Sequence, residues 1–265
     1  MRPLTFLFLI FVFACQNSDN ATSKTNSPPN THNMNILGLI GGTSWHSTID
    51  YYRSINEAVN EHYGNNTNPP LMVYTINQAQ VHKYQVEDNW DGIADMLTGA
   101  AKRLEKGGAE KVMFCANTPH KVYAQVEANI DVPIIHIADA TAERINKSGL
   151  KKVCFLGTKY TMTEDFITMR ITDKGIEVMA PTDPKVVEEL HRIIIEELTY
   201  GKIVPESKKY VLGVIQYFVE QGVEGVILGC TEFPLMIFDK DLSIPIFNTT
   251  EIHAQAGVEF VLNGK

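Results

Sequence analysis

The apolar and polar positions of this chain alternate between two periods along its length. Five short apolar runs rich in β-branched residues are predicted strands, at residues 36–40, 71–76, 111–115, 132–135 and 152–156. Segments with apolar residues at helical spacing lie between them, at 47–62, 91–104 and 138–147. Strands that alternate with helices predict an α/β fold with parallel sheets.

The same order of features occurs twice. Gly42 follows the first predicted strand, and Gly157 follows the fifth. Cys115 lies 73 residues after Gly42 (115 − 42), and Cys230 lies 73 residues after Gly157 (230 − 157). An apolar run with a central proline and a predicted helix follow each cysteine. We predict an internal duplication: two similar parallel-sheet α/β lobes related by pseudo-twofold symmetry, with the active site in the cleft between them.

The first 33 residues differ from the rest of the chain. Residues 4–14 are almost wholly apolar and end at Cys15, but a bilayer span needs about 20 residues. This segment resembles a bacterial lipoprotein signal, so we predict a signal peptide at 1–14, lipidation at Cys15 and a flexible tether at 15–33. A plain secretion signal cut nearby and an uncleaved anchor are the alternatives.

The rest of the chain divides at the restart of the pattern. We predict a first lobe at 34–137, which the C-terminal helix 248–265 joins, and a second lobe at 138–247. With the predicted lipid anchor, the protein would lie at the cell envelope and contact the membrane through that anchor only.

Composition excludes several classes of protein. The 265 residues carry a formal net charge of −8, which argues against a nucleic-acid partner. Four cysteines are too few for a disulfide scaffold, and neither Cys115 nor Cys230 lies in a metal-ligand spacing. We therefore predict no bound metal.

Cys115 and Cys230 each end a predicted strand, where parallel sheets bind ligands. Thr118 and Thr231 are predicted helix N-caps, and a helix N-terminus lowers the pKa of a nearby thiol from about 8.5 towards neutrality. Two thiols that face each other across a cleft suit proton transfer at a carbon stereocentre. One thiolate removes the proton, and the opposite thiol returns a proton to the other face. Two core cysteines, or a disulfide between them, are the alternatives.

Two segments carry a resemblance to a known family. FCANTPHK (114–121) and VILGCTEFPLM (226–236) resemble the signature segments of the aspartate/glutamate racemase superfamily, and residues 38–56 are similar to the opening of its aspartate racemase branch. The resemblance covers residues 34–265. It implies a pyridoxal-independent amino-acid racemase with two α/β lobes, no cofactor and a homodimeric assembly.

The resemblance also implies roles for individual residues. Cys115 and Cys230 become the paired acid and base. Glu232 becomes a group that holds the substrate ammonium or orients Cys230, unless it is only an acid at a helix start. The candidates for binding the α-carboxylate and amino group are Thr43, Ser44, Asn117, Thr118, Thr158 and Thr231.

Other residues are candidates from their positions alone. Gln78 follows the second predicted strand and is a candidate hydrogen-bonding partner of the substrate, and His82 belongs to the same region. His120 either tunes Cys115, touches substrate or lies on a helix surface. Cys154 lies inside an apolar strand and is predicted to be core.

One departure from the family leaves the substrate open. Members specific for dicarboxylates use an arginine and a lysine for the distal carboxylate, and the matching segments here, 62–70 and 166–169, contain neither. Lys159 and Arg170 are candidate substitutes, or solvated helix charges. A neutral or broad range of amino acids therefore stays open beside aspartate.

Two further functions compete with the amino-acid racemase. One keeps the fold but changes the substrate, as in hydantoin racemases, maleate isomerases and arylmalonate decarboxylases. The other is a lipid-anchored receptor that binds amino acids between two lobes without catalysis, for which a matched pair of cysteines has no use.

Overall fold

The computed structural model describes residues 34–263. The predicted signal peptide, the lipidation site at Cys15 and the tether at 15–33 lie outside the described residues and stay predictions, as do the last two residues of the predicted C-terminal helix. Within the described part, no helix has the length and apolar character needed to cross a membrane.

The first lobe is built on a parallel sheet of order β2-β1-β3. Its elements are β1 (Leu37–Gly41), α1 (Trp45–Tyr63), β2 (Leu71–Thr75), α2 (Gln78–Val86), α3 (Trp90–Lys106), β3 (Lys111–Phe114) and α4 (Tyr123–Glu127). For the elements of this lobe that were predicted from the sequence, the predicted and observed bounds agree to within two residues. Helix α3 covers one face of the sheet and α1 covers the other, so β1 and β3 are buried on both faces.

The prediction of a strand at 132–135 is wrong, because no strand forms there. Only a single parallel bridge forms there, between Val112 and Ile134. The segment has no room to continue, because His136 already caps the next helix with its ring nitrogen. It still occupies the fourth position of the first sheet, beside β3.

The second lobe repeats this arrangement with a sheet of order β5-β4-β6-β7, again wholly parallel. Its elements, in chain order, are α5 (Ile137–Lys147), β4 (Lys152–Gly157), α6 (Lys159–Thr163), α7 (Thr168–Thr172), β5 (Glu177–Met179), α8 (Pro184–Arg192), α9 (Pro205–Glu220), β6 (Gly225–Gly229), β7 (Ile246–Asn248) and α10 (Thr249–Leu262). The two matching strand orders confirm the predicted α/β fold with two parallel-sheet lobes.

Two helices link the lobes: α5, which follows the segment beside β3 of the first sheet, packs on the second lobe, and α10, which follows β7 of the second sheet, packs on the first lobe. Ile137 and Ile145 of α5 belong to the apolar core of the second lobe. Ala254 and Val258 of α10 belong to the core between β1, β3 and α1 of the first lobe. The two helices also contact each other. This exchange joins the lobes, and it brings the carboxyl ends of both sheets to one cleft.

Candidate active site

A cavity lies between the lobes, where the central strands of both sheets end. From the first lobe it is lined by Thr43, Ser44, Gln78, His82, Gln85, Ala116, Asn117 and Thr118, and from the second by Thr158, Tyr160, His191, Ile194, Ile195, Thr199, Gly229, Cys230, Thr231 and Glu232. Most of these residues lie at or after the ends of β1, β2 and β3 in one lobe and of β4 and β6 in the other, and the rest lie in or after α8. In parallel sheets the strand ends are where ligands bind.

The structure brings nine of the ten predicted catalytic and binding residues to this cavity: Thr43, Ser44, Gln78, Asn117, Thr118, Thr158, Cys230, Thr231 and Glu232. Cys115 is the exception, since it does not line the cavity. Its side chain belongs to the apolar cluster between the first sheet, α1 and α10, together with Tyr51 and Met113. Burial raises the pKa of the Cys115 thiol well above its ordinary value, so it is protonated at neutral pH.

Cys230 has a titratable partner. Its Sγ donates a hydrogen bond to Oε2 of Glu232 at 2.7 Å, and both side chains are buried. Burial raises the pKa of the Cys230 thiol, and the negative charge and hydrogen bond of Glu232 raise it further. The backbone amides of Glu232 and Phe233 favour the thiolate but act against these larger effects. The resting state is therefore a neutral thiol that points at a carboxylate.

The predicted lowering of the two thiol pKa values is wrong. No α-helix starts beside either cysteine: the following turns are short 3₁₀ segments, Thr118–Val122 and Phe233–Leu235. Asn117 and Glu232, not Thr118 and Thr231, precede these turns, and neither caps its turn with its side chain. Without a long helix the dipole is small, and removal from water dominates.

The loop after β1 lines the cavity through Thr43 and Ser44. Gly42 has φ of 92°, and a Cβ on it would lie 2.1 Å from the carbonyl oxygen of Ile76, so this position requires glycine. Its N–H donates to Oγ1 of Thr48. Ser44 is the N-cap of α1, whose first turn therefore begins at the cavity wall. A helix N-terminus at this position favours a bound anion.

Asn117 offers a buried acceptor. Thr249 donates its hydroxyl to the carbonyl of Leu228 at 2.9 Å, so it accepts from Nδ2 of Asn117 at 3.0 Å. That assigns the orientation of the amide and leaves its Oδ1 buried without a protein partner. A buried acceptor without a partner, on a residue that lines a cavity, is a natural partner for a ligand's N–H group.

Polar contacts close the lobes over the cavity. The hydroxyls of Thr118 and Thr158 lie 3.4 Å apart. Tyr160 donates its hydroxyl to the carbonyl of Gln85 at 3.4 Å, and its ring meets the edge of Trp90. These pairs each join residues of the two lobes, so the width of the cavity depends on the lobe arrangement.

His120 does not reach the cavity lining and is not on the surface. Its Nε2 accepts from the backbone N–H of Ile137, so its Nδ1 carries the hydrogen and lies 3.1 Å from the carbonyls of Ala116 and Asn117. The imidazole thus holds the loop that follows β3. Cys154 is fully buried in the core of the second lobe, as predicted.

Several lining residues carried no signal in the sequence. Gln85 lies on α2, and Tyr160 on α6. His191 is the penultimate residue of α8, after which the chain continues as a π-helical turn over Ile193–Glu197. π-helical turns often occur at functional sites. Burial lowers the pKa of both His82 and His191, so the two imidazoles are neutral at pH 7.

Comparison with known proteins identifies the family. The profile of the Asp/Glu/hydantoin racemase family matches residues 40–257. The chain belongs to this racemase family. An aspartate racemase homologue from Pyrococcus horikoshii OT3 is 42% identical, with a TM-score of 0.75 over 86% of this chain and 99% of that one. A Yersinia pestis protein classed with the Asp/Glu racemases is 43% identical, with a TM-score of 0.81 over 86% and 100%.

A curated relative is more distant. The broad specificity amino-acid racemase RacX of Bacillus subtilis (strain 168) is 21% identical over 86% of this chain and 98% of its own length. A Picrophilus torridus aspartate racemase, at 20% identity and a TM-score of 0.64, shares the fold. The two-lobe architecture of the family is thus the architecture of this chain.

In this racemase-family cavity, the lining residues include no lysine and no arginine. Arg170 is held by Asp139 through two hydrogen bonds of 2.8 and 2.7 Å, outside the lining. Lys159 lies beside the cavity but does not line it, and its Nζ lies 5.5 Å from the centre of the Tyr160 ring. Neither candidate cation therefore stands in the lining to receive a distal carboxylate.

Proposed function

We propose that this protein is a cofactor-independent amino-acid racemase in which the Cys230 thiol exchanges the α-proton of the substrate. The observation that carries the proposal is the buried pair of Cys230 and Glu232 in a cavity at the carboxyl ends of both sheets. Cys115, the second thiol expected from the sequence, does not enter the scheme because it lies outside the cavity lining.

The proton steps use the Cys230–Glu232 pair. Glu232 accepts the thiol proton, which leaves a thiolate at Sγ and a neutral carboxyl group. The thiolate then takes the α-proton, and the electron pair of the broken C–H bond delocalises into the substrate carboxylate. Because burial raises the pKa of the Cys230 thiol, the thiolate, once formed, is a stronger base than an exposed one. Return of the proton from Cys230 reverses these steps and regenerates the starting isomer, whereas protonation of the carbanion on the opposite face gives the other isomer.

The remaining cavity groups suit the two ends of an amino acid. The backbone N–H groups around Thr43 and Ser44 would bind the α-carboxylate and stabilise the charge that develops on it. The free Oδ1 of Asn117 would accept from the α-ammonium. Gln78, Thr118 and Thr231 supply further hydrogen bonds at the cavity wall.

We propose that the preferred substrates have neutral side chains. An acidic side chain would enter a cavity that already holds the Glu232 carboxylate and whose lining has no Lys or Arg. Gln85, Tyr160, His82 and His191 offer neutral polar contacts instead. A relative described as a broad specificity racemase is consistent with such a cavity.

Proton exchange in heavy water tests the proposal. The purified protein, kept reduced, is incubated with single L-amino acids; proton NMR follows loss of the α-hydrogen, and chiral chromatography follows the D-isomer. We expect exchange and D-isomer with neutral amino acids, faster than with aspartate or glutamate. Cys230→Ala should abolish both, whereas Cys154→Ala, a core control, should not. Binding of amino acids without exchange would refute the racemase and favour a receptor.

We further propose that the protein works as a lipid-anchored homodimer at the cell envelope. The anchor rests on the sequence around Cys15, and the homodimer rests on the family resemblance. Mass spectrometry of the mature N-terminus tests the anchor, and sedimentation of the purified protein tests the dimer. An unmodified N-terminus or a monomer would contradict the respective part.

A further inference from the structure

The two lobes present different residues at matching places in the cavity. Cys230 is the first residue after β6, and it lines the cavity. Cys115 is the first residue after β3, but it lies in the apolar cluster, and the next residue, Ala116, lines the cavity instead. The equal spacing of the two cysteines in the sequence therefore does not make them structural equivalents.

The pairing of the strands shows that Cys115 and Cys230 differ by one residue in their position relative to the strand ends. In the first lobe, Ile40 pairs with Phe114, and the N–H of Cys115 donates to the carbonyl of Ile40. Continuing this register sets Cys115 opposite Gly41, the last residue of β1. In the second lobe the last residue of β4, Gly157, pairs with Gly229. When the ends of β1 and β4 are superposed, Cys115 corresponds to Gly229.

Ala116 then corresponds to Cys230. The alternation of side chains along a strand agrees with this assignment, because residues two apart share a face. Met113 and Cys115 belong to one apolar cluster, on the α1 and α10 side, while Phe114 belongs to the cluster on the α3 side. Cys115 therefore faces α1, where Ser47 also donates its hydroxyl to the Cys115 carbonyl at 2.7 Å.

Hydrogen bonds hold the loop after β3, which contains Ala116 and Asn117, in place. The Nδ1–H of His120 lies 3.1 Å from the Ala116 carbonyl, and Asn117 is tied to Thr249 of α10. Cys115 is 2% exposed and Ala116 is 7% exposed. Turning the Cys115 thiol into the cavity would break these contacts and open a gap in the packing against Tyr51.

We infer that Ala116 is the structural counterpart of Cys230, so that this enzyme has one thiol in its cavity and treats the two faces of the substrate unequally. The inference rests on the proposed function. On the face of Cys230, the thiol and thiolate move the proton. On the opposite face, the carbanion takes its proton from water, which is left as hydroxide.

Water is a far weaker acid than a thiol, so protonation on that face is the slow step. Exchange of the α-hydrogen with retention should then outpace inversion. Ala116 would be the position that sets the ratio of the two rates.

Substitutions at positions 115 and 116 test this. In heavy water, Ala116→Cys should raise the inversion rate about 10²-fold relative to the wild type, because a positioned acid–base group contributes about 10²–10⁴ in rate. Ala116→Ser, which has similar size but no acidic thiol, should give no such gain. Cys115→Ala should have rates of exchange and inversion within about twofold of the wild-type rates. Circular dichroism and the thermal midpoint serve as folding controls. A folded Cys115→Ala that loses activity as strongly as Cys230→Ala would overturn the inference.

Alkylation of the native protein gives a test that needs no turnover. Iodoacetamide labelling followed by mass spectrometry should modify Cys230 before Cys115, and an amino-acid substrate should protect Cys230 alone. Labelling of Cys115 at the rate of Cys230, with protection of both, would place both thiols in the cavity and overturn the inference. Absence of exchange by the wild type would instead refute the proposed function and leave this labelling test intact.

Discussion

Replacement of Glu232 by glutamine tests the chemistry of the candidate site most directly. The Sγ of Cys230 donates to Oε2 of Glu232 at 2.7 Å inside a buried cavity. Glu232→Gln keeps an oxygen acceptor of the same reach and removes the negative charge. Because that charge helps to raise the pKa of the Cys230 thiol, the variant should have a lower thiol pKa than the wild type.

The size of the effect follows from the hydrogen bond. The charge of Glu232 helps to hold the proton on the thiol by about 1.5–3 kcal/mol, the contribution of a hydrogen bond to a charged group, and removal of that charge would raise the thiolate fraction about 10- to 100-fold. A thiolate of lower pKa is less nucleophilic, with a Brønsted coefficient of about 0.4–0.5, so alkylation should accelerate by about 3- to 15-fold. Proton exchange should change in the opposite direction, falling about 10²–10⁴-fold, because the amide cannot accept the thiol proton.

The assay combines both readouts on one protein. Iodoacetamide labelling across a pH series measures Cys230, while Cys154, whose pKa burial raises to about 12, serves as an internal control in the native fold. Glu143→Gln, on an exposed residue paired with Lys147, is the matched variant and should alter neither rate. Slower labelling of Cys230 in Glu232→Gln, or unchanged proton exchange, would refute the roles given to this pair.

Three further outcomes follow from the packing. Burial lowers the pKa of His253 to about 4 and that of His136 to about 3, so below pH 6.5 the unfolded state binds more protons than the folded one. Stability should fall from pH 6.5 to 4, by about 3 kcal/mol for His253 alone, and urea unfolding at pH 7 and 4.5 measures this. A free energy of unfolding that does not change between these two pH values would contradict the lowered pKa values of His253 and His136. Gly42→Ala should lower the free energy of unfolding by about 2 kcal/mol or more, since its Cβ would meet the Ile76 carbonyl; an unchanged urea midpoint would count against it. Arg170→Ala should leave the ratio of exchange rates for aspartate and alanine unchanged, because Arg170 lies outside the lining; a shift in that ratio would assign it to substrate.

The elements were predictable because their signals are local. The strand and helix bounds depend on runs of apolar residues whose periods differ, and these runs survive in the structure with small shifts at the ends. The segment at 132–135 fails for a tertiary reason: its pairing depends on where α5 begins, and His136 caps that helix after a single bridge. Composition and local pattern do not determine how many residues separate the bridge from the start of α5.

The site was predictable in part. Strand ends of a parallel sheet converge, so polar residues after each predicted strand were expected together, and nine of ten are. Gln85, Tyr160 and His191 escaped prediction because they come from helices whose packing closes the cavity. The pKa directions of the thiols also failed, since they depend on how completely each side chain is removed from water.

The sequence by itself determined the duplicated α/β architecture, the racemase signatures and the position of Cys230 at a strand end. Only the tertiary structure decided which residue of the first lobe is the structural counterpart of Cys230. A shift of one residue along a strand end turns a side chain to the other face of the sheet, and a count of 73 residues in each half cannot detect it. The hydrogen bonds between β1 and β3 set that shift, so Cys115 enters the core and Ala116 faces the cavity.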